Sequence, residues 1–129
     1  MKLARLHLAL LLPLAACATS ATERTAADDA ALEQELAGLV VGRTSNCLPP
    51  FRPTQSQVYG DAIVYSLGSG VKYVSRTGGG CRSGQDDILV TRTVQAQVCR
   101  GDIAVTLDRS INLQTGSCTF GAFTEYRRP

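Results

Sequence analysis

The stretch Gln57-Val58-Tyr59-Gly60-Asp61-Ala62-Ile63-Val64-Tyr65-Ser66-Leu67-Gly68-Ser69-Gly70-Val71-Lys72-Tyr73-Val74-Ser75 decides the fold class. Its β-branched and aromatic residues stand in short runs, and the runs are separated by Gly60-Asp61 and by Gly68-Ser69-Gly70. Runs of this kind between turn residues read as strands of a β-hairpin. We therefore expect a strand over residues 62–67, a returning strand over 71–75, and Gln57-Val58-Tyr59 leading into the first turn.

The same period continues toward the C-terminus. Gly78-Gly79-Gly80 opens a loop, and strands are expected at 88–93, 97–99, 103–107 and 120–126. No helical pattern interrupts them, so the crossover helices that a parallel sheet requires are missing. The expectation is a mainly β protein: a small antiparallel meander or barrel-like domain with one N-terminal helix, stabilised by disulfides, its strands lying between Cys47 and Tyr126 within a domain of residues 43–129.

Toward the N-terminus the period changes. Leu32, Leu36, Leu39 and Val40 recur at helical spacing with alanines between them, and Gly42 stands where a C-cap would sit. This predicts an amphipathic helix over residues 26–42, helical from Ala26 to Val41, with its narrow apolar stripe docked on the β domain. The small polar residues 17–25 read as a tether.

The first residues bear on compartment. Met1-Lys2-Leu3-Ala4-Arg5 is basic, residues 6–14 are apolar apart from His7, and Ala15-Ala16 precede Cys17. A run of that length is too short to span a bilayer, which takes about 20 apolar residues, and it has the layout of a cleaved secretory signal. Leu14-Ala15-Ala16-Cys17 resembles the lipobox of bacterial lipoproteins, which implies a signal peptide of residues 1–16 and lipidation of Cys17. Ala18 after the cysteine, by the sorting rule of that class, implies a periplasm-facing outer-membrane lipoprotein. The expected contact with the membrane is through the lipid anchor, because two or three acyl chains hold permanently where one does not.

Removing 16 residues from 129 leaves 113, enough for one small domain. Loss of Lys2 and Arg5 takes the basic residues from 13 to 11 against 11 acids, so the mature chain is formally neutral and nucleic-acid binding has no basic surface to rest on. Charge is uneven: residues 18–42 carry a net minus four and residues 43–129 a net plus four.

Taking Cys17 from the five cysteines leaves Cys47, Cys81, Cys99 and Cys118, an even number in an oxidising compartment. No Cys-x-x-Cys pair and no mature histidine exist, so zinc and thioredoxin-like sites lack their ligands. Two structural disulfides are expected. Four cysteines allow three connectivities, and spacing does not choose among them.

A resemblance is carried by Cys47, Asp61-Ala62-Ile63-Val64-Tyr65, Val71-Lys72-Tyr73-Val74, Asp86-Asp87-Ile88-Leu89-Val90-Thr91, Val98-Cys99-Arg100-Gly101-Asp102-Ile103 and Gly116-Ser117-Cys118-Thr119-Phe120-Gly121-Ala122-Phe123. In this order the segments resemble an uncharacterised family of small secreted proteins and lipoproteins of alphaproteobacteria, mainly sphingomonads, over roughly residues 32 to 127. The family has no established activity and transfers no catalytic residue. Some of its members keep counterparts of Cys47 and Cys99 while lacking those of Cys81 and Cys118, which implies the pairs Cys47–Cys99 and Cys81–Cys118.

Loss of His7 with the signal removes every imidazole base and every histidine metal ligand. Lys72 is the only mature lysine; Ser69 stands three residues before it, in the turn Gly68-Ser69-Gly70. Asp61, Asp86, Asp87, Asp102 and Asp108 sit at turns or strand ends, where aspartate serves local backbone hydrogen bonds. They form no calcium-loop pattern. Gly78-Gly79-Gly80 before Arg82 offers an anion-binding nest or, more simply, a connection between strands. Arg100-Gly101-Asp102 reads as a turn. Ser69-Gly70-Val71-Lys72-Tyr73 is similar to the Ser-Gly-x-x-Tyr motif of periplasmic lysozyme inhibitors of the C-type class, although the second motif of that class is absent.

These residues point to a non-catalytic, lipid-anchored envelope accessory or binding protein without a cofactor or metal, whose partner is an envelope protein or a cell-wall component. The alternatives are a lysozyme-inhibitor-like protein and a small glycan hydrolase using only carboxylates.

Overall fold

A computed structural model of the chain describes residues 16–50, 53–82, 84 and 86–129, with side chains described from Thr25 onward. The signal peptide expected over residues 1–16 lies almost wholly outside the described residues. Cys17 is on helical backbone, but its side chain is not described. Among the described residues no helix is long and apolar enough to cross a membrane.

The elements in order are α1 (Ala16–Glu35), β1 (Val40–Ser45), β2 (Gln55–Tyr59), β3 (Ala62–Ser66), β4 (Lys72–Arg76), β5 (Asp87–Arg92), β6 (Ile103–Asp108), β7 (Leu113–Thr119) and β8 (Phe123–Arg127). They build a five-stranded sheet in the order β1-β8-β4-β3-β2 and a three-stranded sheet in the order β5-β6-β7. Every pairing is antiparallel. The mainly β expectation holds, and so do both disulfides: Cys47–Cys99 and Cys81–Cys118, with Cα atoms 3.9 and 5.2 Å apart.

Side-chain alternation in β3 and β4 explains the layering. Ile63, Tyr65 and Tyr73 face the three-stranded sheet, where they pack with Leu48, Ala104, Phe120 and Phe123 around the Cys81–Cys118 bridge. Ala62, Val64 and Val74 face the other way and are covered by Leu32 of α1 together with Leu36, Tyr59 and Tyr126. The central sheet is covered on both faces. That is why residues 62–65 read as a continuous apolar run and not as a strict alternation.

The two sheets meet closely where the chain passes from β4 to β5. A Cβ on Gly116 would run into the Gly80 carbonyl oxygen and come within 2.8 Å of Thr106 Oγ1, and a Cβ on Gly80 would meet the Ser117 carbonyl. Gly80 also has a φ of 106° and accepts a 3.0 Å backbone bond from Ser117 N. Of the glycine run, Gly80 is thus packed against β7, while Gly78 and Gly79 border open space.

Several expectations need correction. The expected N-terminal helix is present and shares residues 26–35 with the expected 26–42, but it spans Ala16–Glu35: it ends earlier, and the backbone of 17–25 is helical. Gly38, with φ 77°, and not Gly42, follows the helix end. Val40 and Val41 belong to β1, paired with Arg127 and Tyr126, a setting that suits β-branched residues. Gly42 lies within that strand beside Glu125. Residues 97–99 form no strand and contribute only the isolated bridge between Cys47 and Cys99. The strand expected at 120–126 begins at Phe123, and β7 before it was not anticipated.

Candidate functional site

β2 is the terminal strand of the larger sheet, and a cleft of about 460 Å³ runs along it. All five β2 residues, Gln55 to Tyr59, line the cleft. Asp28 and Ala31 of α1 form one wall, and Arg82, Gly84, Asp87, Leu89 and Thr106 form the other. The helix wall follows from the Leu32 and Leu36 stripe, which sets α1 against β3, β4 and Tyr59.

Lys72 locks that helix in place. Its Nζ donates to the Glu35 carbonyl at 2.8 Å and to Glu35 Oε1 at 2.5 Å, which places a cation at the helix C-terminus where the macrodipole favours one. Lys72, the one lysine of the sequence besides Lys2, thus serves a structural bond. Tyr73, next along β4, is buried and donates to Glu125 Oε2 at 3.1 Å. Of the Ser69-Gly70-Val71-Lys72-Tyr73 motif, only Ser69 at the hairpin turn is fully exposed.

The far wall is held by a polar chain. Thr115 Oγ1 donates to Asp87 Oδ1 at 2.8 Å, and Gly84 N donates to Asp87 Oδ2 at 2.9 Å. Because the single Thr115 proton goes to the carboxylate, its 3.1 Å contact with buried Thr106 Oγ1 takes the Thr106 proton. Arg82 N then donates to Thr106 Oγ1 at 3.1 Å. The Arg82 backbone is fixed while its guanidinium is free: among the described residues neither the Arg82 nor the Asp28 side chain has a hydrogen-bond or ion-pair partner.

The other carboxylates singled out from the sequence are dispersed. Asp61 pairs with Arg76 at 2.6 Å on the surface. Asp86 is exposed in the turn before β5, and its carbonyl accepts from Arg109 N. Asp102 accepts from Cys99 N at 2.8 Å, which closes the turn containing Arg100-Gly101-Asp102. Asp108 accepts from the Ser110 hydroxyl and N–H and from Ile111 N, and these donors hold its carboxyl below the usual range. Among the described residues no three His, Cys, Asp or Glu side chains cluster as a metal site would require. Sequence reasoning singled out Asp87 and Arg82 but not Asp28, and it did not bring the three together around one strand. The available signal was the absence of any charged residue in Gln55–Tyr59.

Tyr59 closes one end of β2. Its hydroxyl donates to Gln57 Oε1 at 2.7 Å, and burial, followed by the nearby Glu35 carboxylate, pushes its pKa up to about 12 from an ordinary 10.0. Burial also raises Tyr65, against the lowering effect of Thr91, and raises Tyr73 together with Glu125. A phenol whose folded pKa lies above its unfolded value contributes stability that is fully present below the unfolded value and lost as pH rises through the folded one. The melting temperature should thus hold up to pH 10 and fall between pH 10 and 12, with Tyr59→Phe flattening the fall. Absorbance at 295 nm recorded alongside melting would check this. Complete tyrosine ionisation near pH 10 without loss of stability contradicts it.

No protein family, no curated protein and no solved structure matches this chain.

Proposed function

We propose that the chain is a lipid-anchored, non-catalytic binding domain of the bacterial envelope, with the cleft along β2 as its binding element. The observation that carries this reading is the opposition of two unpaired charges, Asp28 and Arg82, across an open strand edge. Two disulfides are compatible with an oxidising compartment outside the cytoplasm. The lipobox-like Leu14-Ala15-Ala16-Cys17 supports anchoring, and the likeness to small alphaproteobacterial lipoproteins supports the same setting.

A carboxylate-based glycan hydrolase is the second reading, because Asp28 and Asp87 line the same cleft. Both Asp87 oxygens already accept hydrogen bonds from the protein, which suits a wall-building role better than proton transfer. The lysozyme-inhibitor alternative draws less support, since Lys72 and Tyr73 of its motif are held within the fold.

The test is made in the native envelope. Intact mass should place the mature N-terminus at an acylated Cys17; cleavage elsewhere or a free thiol there removes the anchor. A photoreactive residue at Gln55 should give a specific adduct, whereas one at Val90 on the outer face of the small sheet should not. Silence at both positions overturns the binding reading, and glycan cleavage abolished by Asp28→Asn would replace it with the hydrolase.

A further inference from the structure

The backbone of β2 carries the inference further. Gly60-Asp61 is a two-residue turn, so the flanking pair Tyr59 and Ala62 exchange backbone hydrogen bonds, and Gln57 with Val64 do so two residues on. Ser56 and Val58 therefore direct their N–H and C=O groups away from β3. Among the described residues nothing bonds them from the outer side.

Exposed edges are ordinarily blunted by charge, proline or a bulge. β1 has Arg43 and a register break, β5 has Asp87 and Arg92, and the β6–β7 ladder is interrupted by a shift. Gln55–Tyr59 contains no charge, no proline and no register break, and it is this edge that faces the cleft.

We propose that the cleft binds an extended peptide segment of a partner protein, added to β2 as a sixth strand of the larger sheet; this rests on the binding-domain reading and names its partner. Main-chain bonds to Ser56 and Val58 supply affinity, as in other strand-addition complexes. Charge supplies selectivity. Successive side chains of a strand point to opposite faces; one face of this sheet carries α1 with Asp28, and the other faces the small sheet with Arg82. The preferred segment has a basic residue toward Asp28 and an acidic residue toward Arg82, which requires an odd spacing between them.

The probe is the peptide acetyl-Val-Thr-Lys-Glu-Val-Thr-amide, titrated into the disulfide-intact protein and followed by amide chemical shifts. Saturable shifts centred on Ser56 and Val58 are expected, with weaker binding of a variant that separates Lys and Glu by one residue. Proline is tolerated on an edge strand where the N–H faces outward. Ser56→Pro should therefore keep the melting temperature and weaken the peptide at least tenfold. Should that variant fail to fold, N-methylation of alternate peptide amides gives the same answer on the unaltered protein: one set abolishes binding and the other leaves it.

No shifts at Ser56 and Val58 up to millimolar peptide, or equal sensitivity to both methylated sets, overturns the proposal. So does a dimer of this chain that Ser56→Pro dissolves, because the edge would then belong to a second copy. If the peptide fails while Gln55 still crosslinks in the envelope, the strand-addition inference falls and the binding reading stands.

Discussion

Reducing Cys47–Cys99 and Cys81–Cys118 together is expected to unfold the β domain at 37 °C. The bonds close loops of sequence separation 52 and 37. In the chain-entropy account each contributes about 4 kcal/mol by restricting the unfolded ensemble. Domains of this size are stable by about 5–15 kcal/mol in total, and with Phe120 and Phe123 as the Phe side chains of the described core and no Trp in the chain, this core is at the modest end. The loops overlap between Cys81 and Cys99, so the two contributions should not simply add. Each pair replaced singly by alanine should lower the melting temperature by on the order of 20 °C, at roughly 4–8 °C per kcal/mol for a domain of this length. Cys81 and Cys118 are both buried against Ala104 and Phe120, so losing that pair also loosens packing and should have the larger effect. Thermal unfolding by circular dichroism with and without reductant checks this, and a reduced protein melting within a few degrees of the oxidised one would refute it.

The hairpin at the centre of the fold was legible because residues 57–75 combine β-branched and aromatic runs with short turns. The helix end was not. Leu39 and Val40 continue the spacing of Leu32 and Leu36, so periodicity alone carries the helix past Glu35. What ends it is tertiary: Lys72 caps the Glu35 carbonyl, and Val40 and Val41 gain a strand partner in β8. β7 escaped notice for a related reason. Leu113-Gln114-Thr115-Gly116-Ser117-Cys118-Thr119 is polar and carries a glycine, and it is a strand because Gly116 lets it pass close to Gly80 and because β6 supplies the ladder. The cysteine pairing was left open by spacing, and only the family resemblance favoured the pairing found.

The cleft was less legible than the fold. Which strand ends a sheet depends on the order β1-β8-β4-β3-β2, in which β8, the last strand in sequence, is inserted between β1 and β4. That insertion leaves β2 at the edge. No local pattern in Gln55–Tyr59 encodes it, and the walls come from Asp28 and Arg82 on separate segments. Only the missing edge charge was visible from sequence, and it acquires meaning once the strand's position is known.

Phe123→Ala is expected to destabilise the protein by about 3–5 kcal/mol, the range for deleting a fully buried aromatic ring. Phe123 is 0% exposed, and its ring centroid lies 5.5 Å from that of Phe120 and 6.4 Å from that of Tyr65. Its register partners are Ser45 on β1 and Ser75 on β4, side chains too small to fill the void. Ser75 cannot turn inward without giving up the 3.1 Å bond it donates to the Gly121 carbonyl. The neighbouring backbone is constrained as well, since a Cβ on Gly121 would meet the Arg76 carbonyl. Collapse around the cavity is therefore limited, which puts the loss toward the upper end of the range. Urea unfolding of the disulfide-intact variant measures it, and a loss below about 1.5 kcal/mol, the range of well-accommodated core swaps, would show that the three rings are not the centre of the core. Strands β4 and β3 separate Phe123, on β8, from the β2 edge. The variant should consequently keep the amide shifts of Ser56 and Val58 while it is folded, so a lost core contact can be told apart from a lost binding edge.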